Sequence, residues 1–83
     1  MPHTRVDANH RALRAIGRAA RQARLAAGMR QHHLAEAIGV SRGTIANIER
    51  GSQNTTVGVL FILAMACGTS LDALVSDATK LWK

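Results

Sequence analysis

At 83 residues the chain is long enough for one compact domain and no more, and a domain of that size hides only about 60% of the surface its unfolded chain exposes. Eleven Lys+Arg stand against five Asp+Glu, a formal net charge of +6; nine of the eleven are Arg, and between Ala8 and Leu71 the only acids are Glu36 and Glu49. That balance points to a polyanionic partner, most simply nucleic acid, although anionic membranes attract the same charge; the single cysteine, Cys67, excludes an intrachain disulfide or a zinc site built on cysteine pairs and suits a reduced, cytoplasmic setting.

The opening residues, MPHTRVDANH, are polar and hold no secretory apolar core. The longest apolar run, Val57 to Cys67, is too short to span a bilayer. Two aromatic residues and a single proline, at position 2, argue against a β-rich fold. Residues 1–7 read as a flexible arm, 8–76 as the folded domain and 77–83 as a C-terminal tail. Asp7 or Asn9 suits the cap of a first helix that runs to about Ala27, with Gly28 closing it. In that helix Ile16, Ala20, Ala23 and Ala27 recur at spacings of three and four, the mark of a buried stripe. Arg11, Arg14, Arg18, Arg21 and Arg24 fall on a broad opposite face, either solvated or laid partly along a DNA backbone.

A second helix is expected from about Gln31 to Ile38, with Leu34, Ala35 and Ile38 inward. Gly39-Val40-Ser41 makes a tight connection, and Ser41 caps a third helix from Arg42 to Arg50, ended by Gly51. At 100° per residue Ile45 and Ile48 share the inner side of that third helix. Arg42, Gly43, Ala46, Asn47 and Arg50 share the outer one. An Arg fork matches guanine O6 and N7, and an Asn amide matches adenine N6 and N7. The same face would also suit plain solvent. Gly43 costs roughly 1 kcal/mol against alanine inside a helix, a cost more easily understood if a side chain there would collide with a partner.

The run QHHLAEAIGVSRGTIANIERG, Gln31 to Gly51, resembles the Cro/CI-type helix-turn-helix family, and the similarity extends from about Ile16 to Leu74, through the closing TSLDAL. The resemblance implies an all-α, five-helix, lambda-repressor-like DNA-binding domain whose second and third helices form the motif. It implies that Gln31 contacts the DNA backbone and braces the reading helix. Ser41, Arg42, Gly43, Thr44 and Asn47 match positions facing bases or nearby phosphates, and Arg50 one near the backbone. Arg24 and Glu49 match an ion pair that ties the first helix to the third. Two departures stand out. Arg30 replaces the usual Ser or Thr cap before the glutamine, and offers a phosphate contact instead; Thr55 stands where the family often has a proline.

Thr55 or Thr56 is expected to cap a fourth helix ending at Cys67. Its stripe Val57, Leu60, Leu63, Ala64 and Cys67 faces the core. Gly58, Phe61, Ile62, Met65 and Ala66 lie opposite, where a surface helix should carry polar groups. Either the tail, with Leu81 and Trp82, folds over this face within one subunit, or Phe61, Ile62 and Met65, with Leu81 and Trp82 contributing, meet a second copy across a two-fold axis. A short fifth helix is expected from about Leu71 to Val75, capped by Thr69 or Ser70.

His32 and His33, adjacent on a helix, should diverge by 100° and make a poor metal site. Cys67 reads as a core residue. No Ser/His/Asp set, phosphate loop or paired carboxylates appear, so neither an enzyme nor a cofactor is expected. The expected function is a sequence-specific regulator of transcription, a repressor that binds double-stranded DNA as a homodimer on an inverted repeat and not a membrane. The alternative is an antitoxin-like or coactivator-like module that binds a toxin or other protein through the apolar fourth helix.

Overall fold

The computed structural model describes residues 5–82, with side chains described from Ala8 onward. Five helices make up the fold: α1 (Arg5–Ala26), α2 (Gln31–Ile38), α3 (Arg42–Arg50), α4 (Val57–Ala66) and α5 (Leu71–Lys80). Among the described residues there is no strand, and no single helix is long and apolar enough to cross a membrane.

Local chemistry sets most of these boundaries. Ser41, Thr56 and Ser70 have extended backbones, and their hydroxyls accept the N–H of Thr44 (3.0 Å), Val59 (3.1 Å) and Ala73 (3.2 Å). Each such cap satisfies a donor the helix leaves open, worth roughly 1 kcal/mol. Arg30, at the start of α2, makes no side-chain cap.

Leu34, Ile45, Ile48, Leu63 and Leu74 lie wholly inside the core, each from a different turn of α2, α3, α4 or α5. The contribution of α1 is small residues, Ala15, Ala19 and Ala20, so its neighbours approach its backbone closely. Gly17 is the extreme case. A Cβ there would stand 2.3 Å from the carbonyl oxygen of Ile48 and 2.6 Å from that of Glu49, so only glycine lets α1 cross α3 at this distance. Gly51, in the left-handed region at φ 71°, closes α3 against the backbone of Arg14, where a Cβ would come within 2.7 Å. The two glycines fix α3 onto α1 from both sides.

Several expectations change. α1 begins at Arg5, so the end of the expected 1–7 arm is helical and the expected caps Asp7 and Asn9 fall inside the helix; nothing from Arg5 to Asn9 is a glycine or proline that would stop it. Met1–Thr4 lie outside the described residues. The buried stripe of α1 is rotated toward Ala15 and Ala19, and Ala27 is exposed beyond the helix end. Arg24 is buried, not solvated with the other arginines. Val57, expected inside, is 69% exposed, because it precedes the first turn of α4 that reaches the core, while Ala66, expected outside, packs against the core.

The tail differs most. α5 continues to Lys80 because Leu71, Leu74, Ala78 and Leu81 carry its inward stripe on at helical spacing. Leu81 therefore belongs to the subunit's own core, and the neighbours of Trp82 come from α1 and α5. The tail leaves the outer side of α4 open: Phe61, Ile62 and Met65 are between 43% and 56% exposed. Covering of α4 by Leu81 and Trp82 within one subunit is thereby overturned.

Candidate nucleic-acid interface

α2 and α3 meet across the Gly39 turn, and Ile45 and Ile48 hold the inner side of α3 in the core. Burial of these two side chains decides which way the remaining residues point. Arg42, Gly43 and Arg50 are exposed, and Ala46 and Asn47 are half-buried at the margin of the same side. Gly43 has open space around it: an added Cβ would touch only the Ser41 hydroxyl oxygen, at 3.7 Å. The fold itself thus tolerates a side chain at position 43.

Beneath this surface lies a buried ion pair. The Arg24 guanidinium donates from Nε to Oε2 of Glu49 at 2.7 Å and from Nη2 to Oε1 at 3.0 Å, a two-pronged grip linking α1 to α3. A third donor, Nη1, reaches the carbonyl of Met29 at 2.9 Å and fastens the α1–α2 turn. Glu49 raises the Arg24 pKa above its ordinary value through this hydrogen bond, against the opposing effect of burial. Arg24 therefore stays charged at every accessible pH. Arg21 stands further off, 3.9 Å from Glu49 Oε1, with its side chain largely exposed.

The network continues outward. Gln31 donates from Nε2 to Glu49 Oε1 at 3.1 Å, and its own Oε1 accepts from Arg42 Nη1 at 3.1 Å. A chain of polar contacts therefore runs from the α1–α3 anchor, through the first residue of α2, to the first residue of α3. Each link restricts the next, so Arg42 leaves the surface already oriented. At the far end of α3 Arg50 donates to Asn47 Oδ1. Thr44 and Ser41 share a hydroxyl–hydroxyl hydrogen bond at 2.9 Å. Asn9 of α1 donates to Asn54 of the α3–α4 loop at 3.4 Å.

Of the residues expected at this surface, Gln31 opens α2, Ser41 caps α3, Arg42, Gly43, Thr44, Asn47 and Arg50 lie on α3, and Arg30 is exposed just before α2. Ser41 is also a cap, so its hydroxyl is shared between the backbone of Thr44 and any outside partner. The sequence reading missed the Gln31–Arg42 bond, the approach of Arg21 to Glu49, and the dependence of α3 on Gly17. The spacing of Arg21 three residues before Arg24 was the available signal for the second; Gly17, amid alanines in a helix, was the signal for the third.

His32 and His33 do not diverge as their backbone positions suggest: their rings lean together, with centroids 4.1 Å apart. No group of three or more His, Cys, Asp or Glu that could hold a metal occurs among the described residues. Cys67 closes α4 and packs against the core, and burial pushes its thiol pKa up.

Residues 21–74 match the helix-turn-helix family model. No curated protein matches the chain. Among solved structures, the clp gene regulator ClgR from Corynebacterium glutamicum is similar at 30% identity and a TM-score of 0.83, over 86% of this chain and 76% of that one. The restriction-modification controller protein C.AhdI from Aeromonas hydrophila is similar at 29% identity and a TM-score of 0.75, over 78% of this chain and 94% of that one.

Proposed function

The chain belongs to the Cro/CI-type helix-turn-helix family of DNA-binding transcriptional regulators, and we propose that it is a repressor that grips an inverted-repeat operator as a homodimer. The observation that carries this reading is the outward surface of α3: Arg42, Gly43 and Asn47 project from a helix anchored by Ile45 and Ile48. Arg42 reads a guanine edge by its two-pronged fork, and Asn47, on release from Arg50, an adenine edge. Gln31, Ser41, Thr44, Arg30 and Arg50 hold backbone phosphates and set the register. Glu49 and Arg24 support the surface from behind and do not touch DNA.

The dimer rests on the open side of α4. Val57, Phe61, Ile62 and Met65 expose apolar surface there, around a Gly58 whose added Cβ would meet only Thr56 Oγ1, at 3.9 Å. A glycine inside a helix is not required by this fold, and a flat spot there allows two α4 helices to approach. The self-complementary contact places two reading helices on one side of the duplex, about 34 Å apart, in successive major grooves. Occupancy of such a site blocks access to it, which is all that repression in the cytoplasm requires. The two similar proteins are described as a gene regulator and a controller protein, and this supports the same class of role.

The test is selection of binding sites from a random duplex library, repeated with Arg42→Ala. The expected result is a symmetric site, a loss of about 1–3 kcal/mol in affinity and relaxed preference at one base per half-site. An unchanged site preference in the variant would remove α3 from the reading role.

A further inference from the structure

We propose that a hollow between α1 and α5, together with the arginine ridge beside it, binds an acidic segment of another protein that carries an apolar anchor. This surface is separate from the reading side of α3. The hollow has a volume of about 270 Å³, and Ala12, Ala15 and Ile16 of α1 face Val75 and Ala78 of α5 across it, with Trp82 at its edge. Its depth comes from the alanines. Val75 and Trp82 are nearly half exposed, so large apolar groups border an open space instead of filling it.

The hollow itself is lined by uncharged residues, and the cations stand beside it. The Arg11 guanidinium carbon sits 4.7 Å from the centre of the Trp82 ring, within the range of a cation–π contact. Arg11, Arg14 and Arg18, spaced at i, i+3 and i+7 along α1, line an adjoining cleft with Leu81. Among the described residues Arg14 and Arg18 have no carboxylate partner. Trp82 borders the hollow and Arg11 the arginine cleft, and their contact sets the apolar hollow beside the positive ridge.

Three kinds of occupant match this pair unequally. Duplex DNA offers phosphates to the ridge but nothing apolar to the hollow. A second copy of the chain has only five acidic residues. Of these Glu49 is held by Arg24 and Asp72 by Ser70, and the apolar side of α4 carries no acid. A segment in which Asp or Glu alternates with Leu or Phe supplies both halves at once: carboxylates for the ridge and a side chain for the hollow.

Trp82 is the only tryptophan in the chain, so its emission reports on the hollow directly. The probe is a synthetic peptide with Leu and Phe at helical spacing among Asp and Glu, titrated without DNA, so that failure here leaves the reading of operators by α3 untouched. Polyglutamate, a random-sequence duplex and phosphatidylglycerol vesicles are titrated in parallel. The peptide is expected to shift Trp82 emission to shorter wavelength in a saturable way. The double variant Arg14→Gln/Arg18→Gln should bind it about tenfold more weakly. Val75→Ser should weaken it with little dependence on salt, and the helical circular dichroism of both variants should match the parent. The proposal is overturned if the peptide gives no shift, if polyglutamate or the duplex acts equally well, or if vesicles bind in preference. It is also overturned if Trp82 emission shifts on raising the protein concentration alone, which would place a second copy in the hollow.

Discussion

Two residues separate what holds the reading surface from what uses it. Glu49 is buried and engages Arg24, Gln31 and, at longer range, Arg21. Glu49→Ala would leave the Arg24 guanidinium buried with only the Met29 carbonyl, and breaking such a pair costs about 3–5 kcal/mol. Urea unfolding of the variant is expected to show a loss of that size, alongside weakened DNA binding, because Gln31 and through it Arg42 lose their support. Gly43 predicts the opposite pattern. It is exposed and has room for a methyl group, so Gly43→Ala should stabilise α3 by roughly 1 kcal/mol in thermal melts while lowering operator affinity. A variant more stable and equally tight on DNA would show that no partner needs the space at position 43.

At the scale of the helix, capping residues were the most readable feature of the sequence. Ser41 and Gly51 bracket α3, and Gly39 ends α2, at the positions expected from residue type alone. A helical wheel places Arg24 with the other arginines; its pairing with Glu49 came from the family resemblance, and that partner on another helix explains its burial. The length of α5 was misread for a related reason. Residues 77–83 read as a tail beyond a helix ending near Val75, whereas Ala78 and Leu81 find their places only once α1 is present beside them. The polar chain from Arg24 through Glu49 and Gln31 to Arg42 joins three helices, and no periodicity within one helix reveals it.

α5 also carries a pH-sensitive start. The Ser70 hydroxyl hydrogen-bonds the Asp72 carboxylate and holds it below the usual carboxylate range, while Ser70 Oγ accepts the N–H of Ala73. A carboxylate whose folded pKa is depressed stabilises above the unfolded value and loses that contribution as pH falls through the folded one. Acidification below the ordinary carboxylate range should therefore loosen α5. Ser70→Ala should lose about 1 kcal/mol at neutral pH and show a flatter stability profile in acid, measured by denaturant unfolding across pH.

For the molecule as a whole, the proposed pairing through α4 rests on the balance of apolar surface. The core of one subunit is built largely from alanine, leucine and isoleucine, and four large apolar side chains of α4 remain outside it. Ile62→Asp places a charge in the middle of that side, and burying a single Ile is worth roughly 1.5–3 kcal/mol. If the proposed pairing through α4 holds, sedimentation is expected to show a dimer for the parent and a monomer for the variant at the same concentration. An unchanged dimer would move the interface elsewhere.

The backbone contact at Gly17 has a consequence for which operators such a dimer can accept. With carbonyl oxygens of α3 pressed onto α1 where even a methyl group has no room, a pivot of the reading helix on its own body would have to break this close contact, and adjustment falls more readily to the proposed subunit pairing or to the duplex. The proposed dimer would then act as a ruler with nearly fixed graduations. One base pair inserted between half-sites turns the second target by about 34–36° around the duplex, as 10–10.5 base pairs make one turn, and only the subunit pairing or the duplex itself is left to follow it.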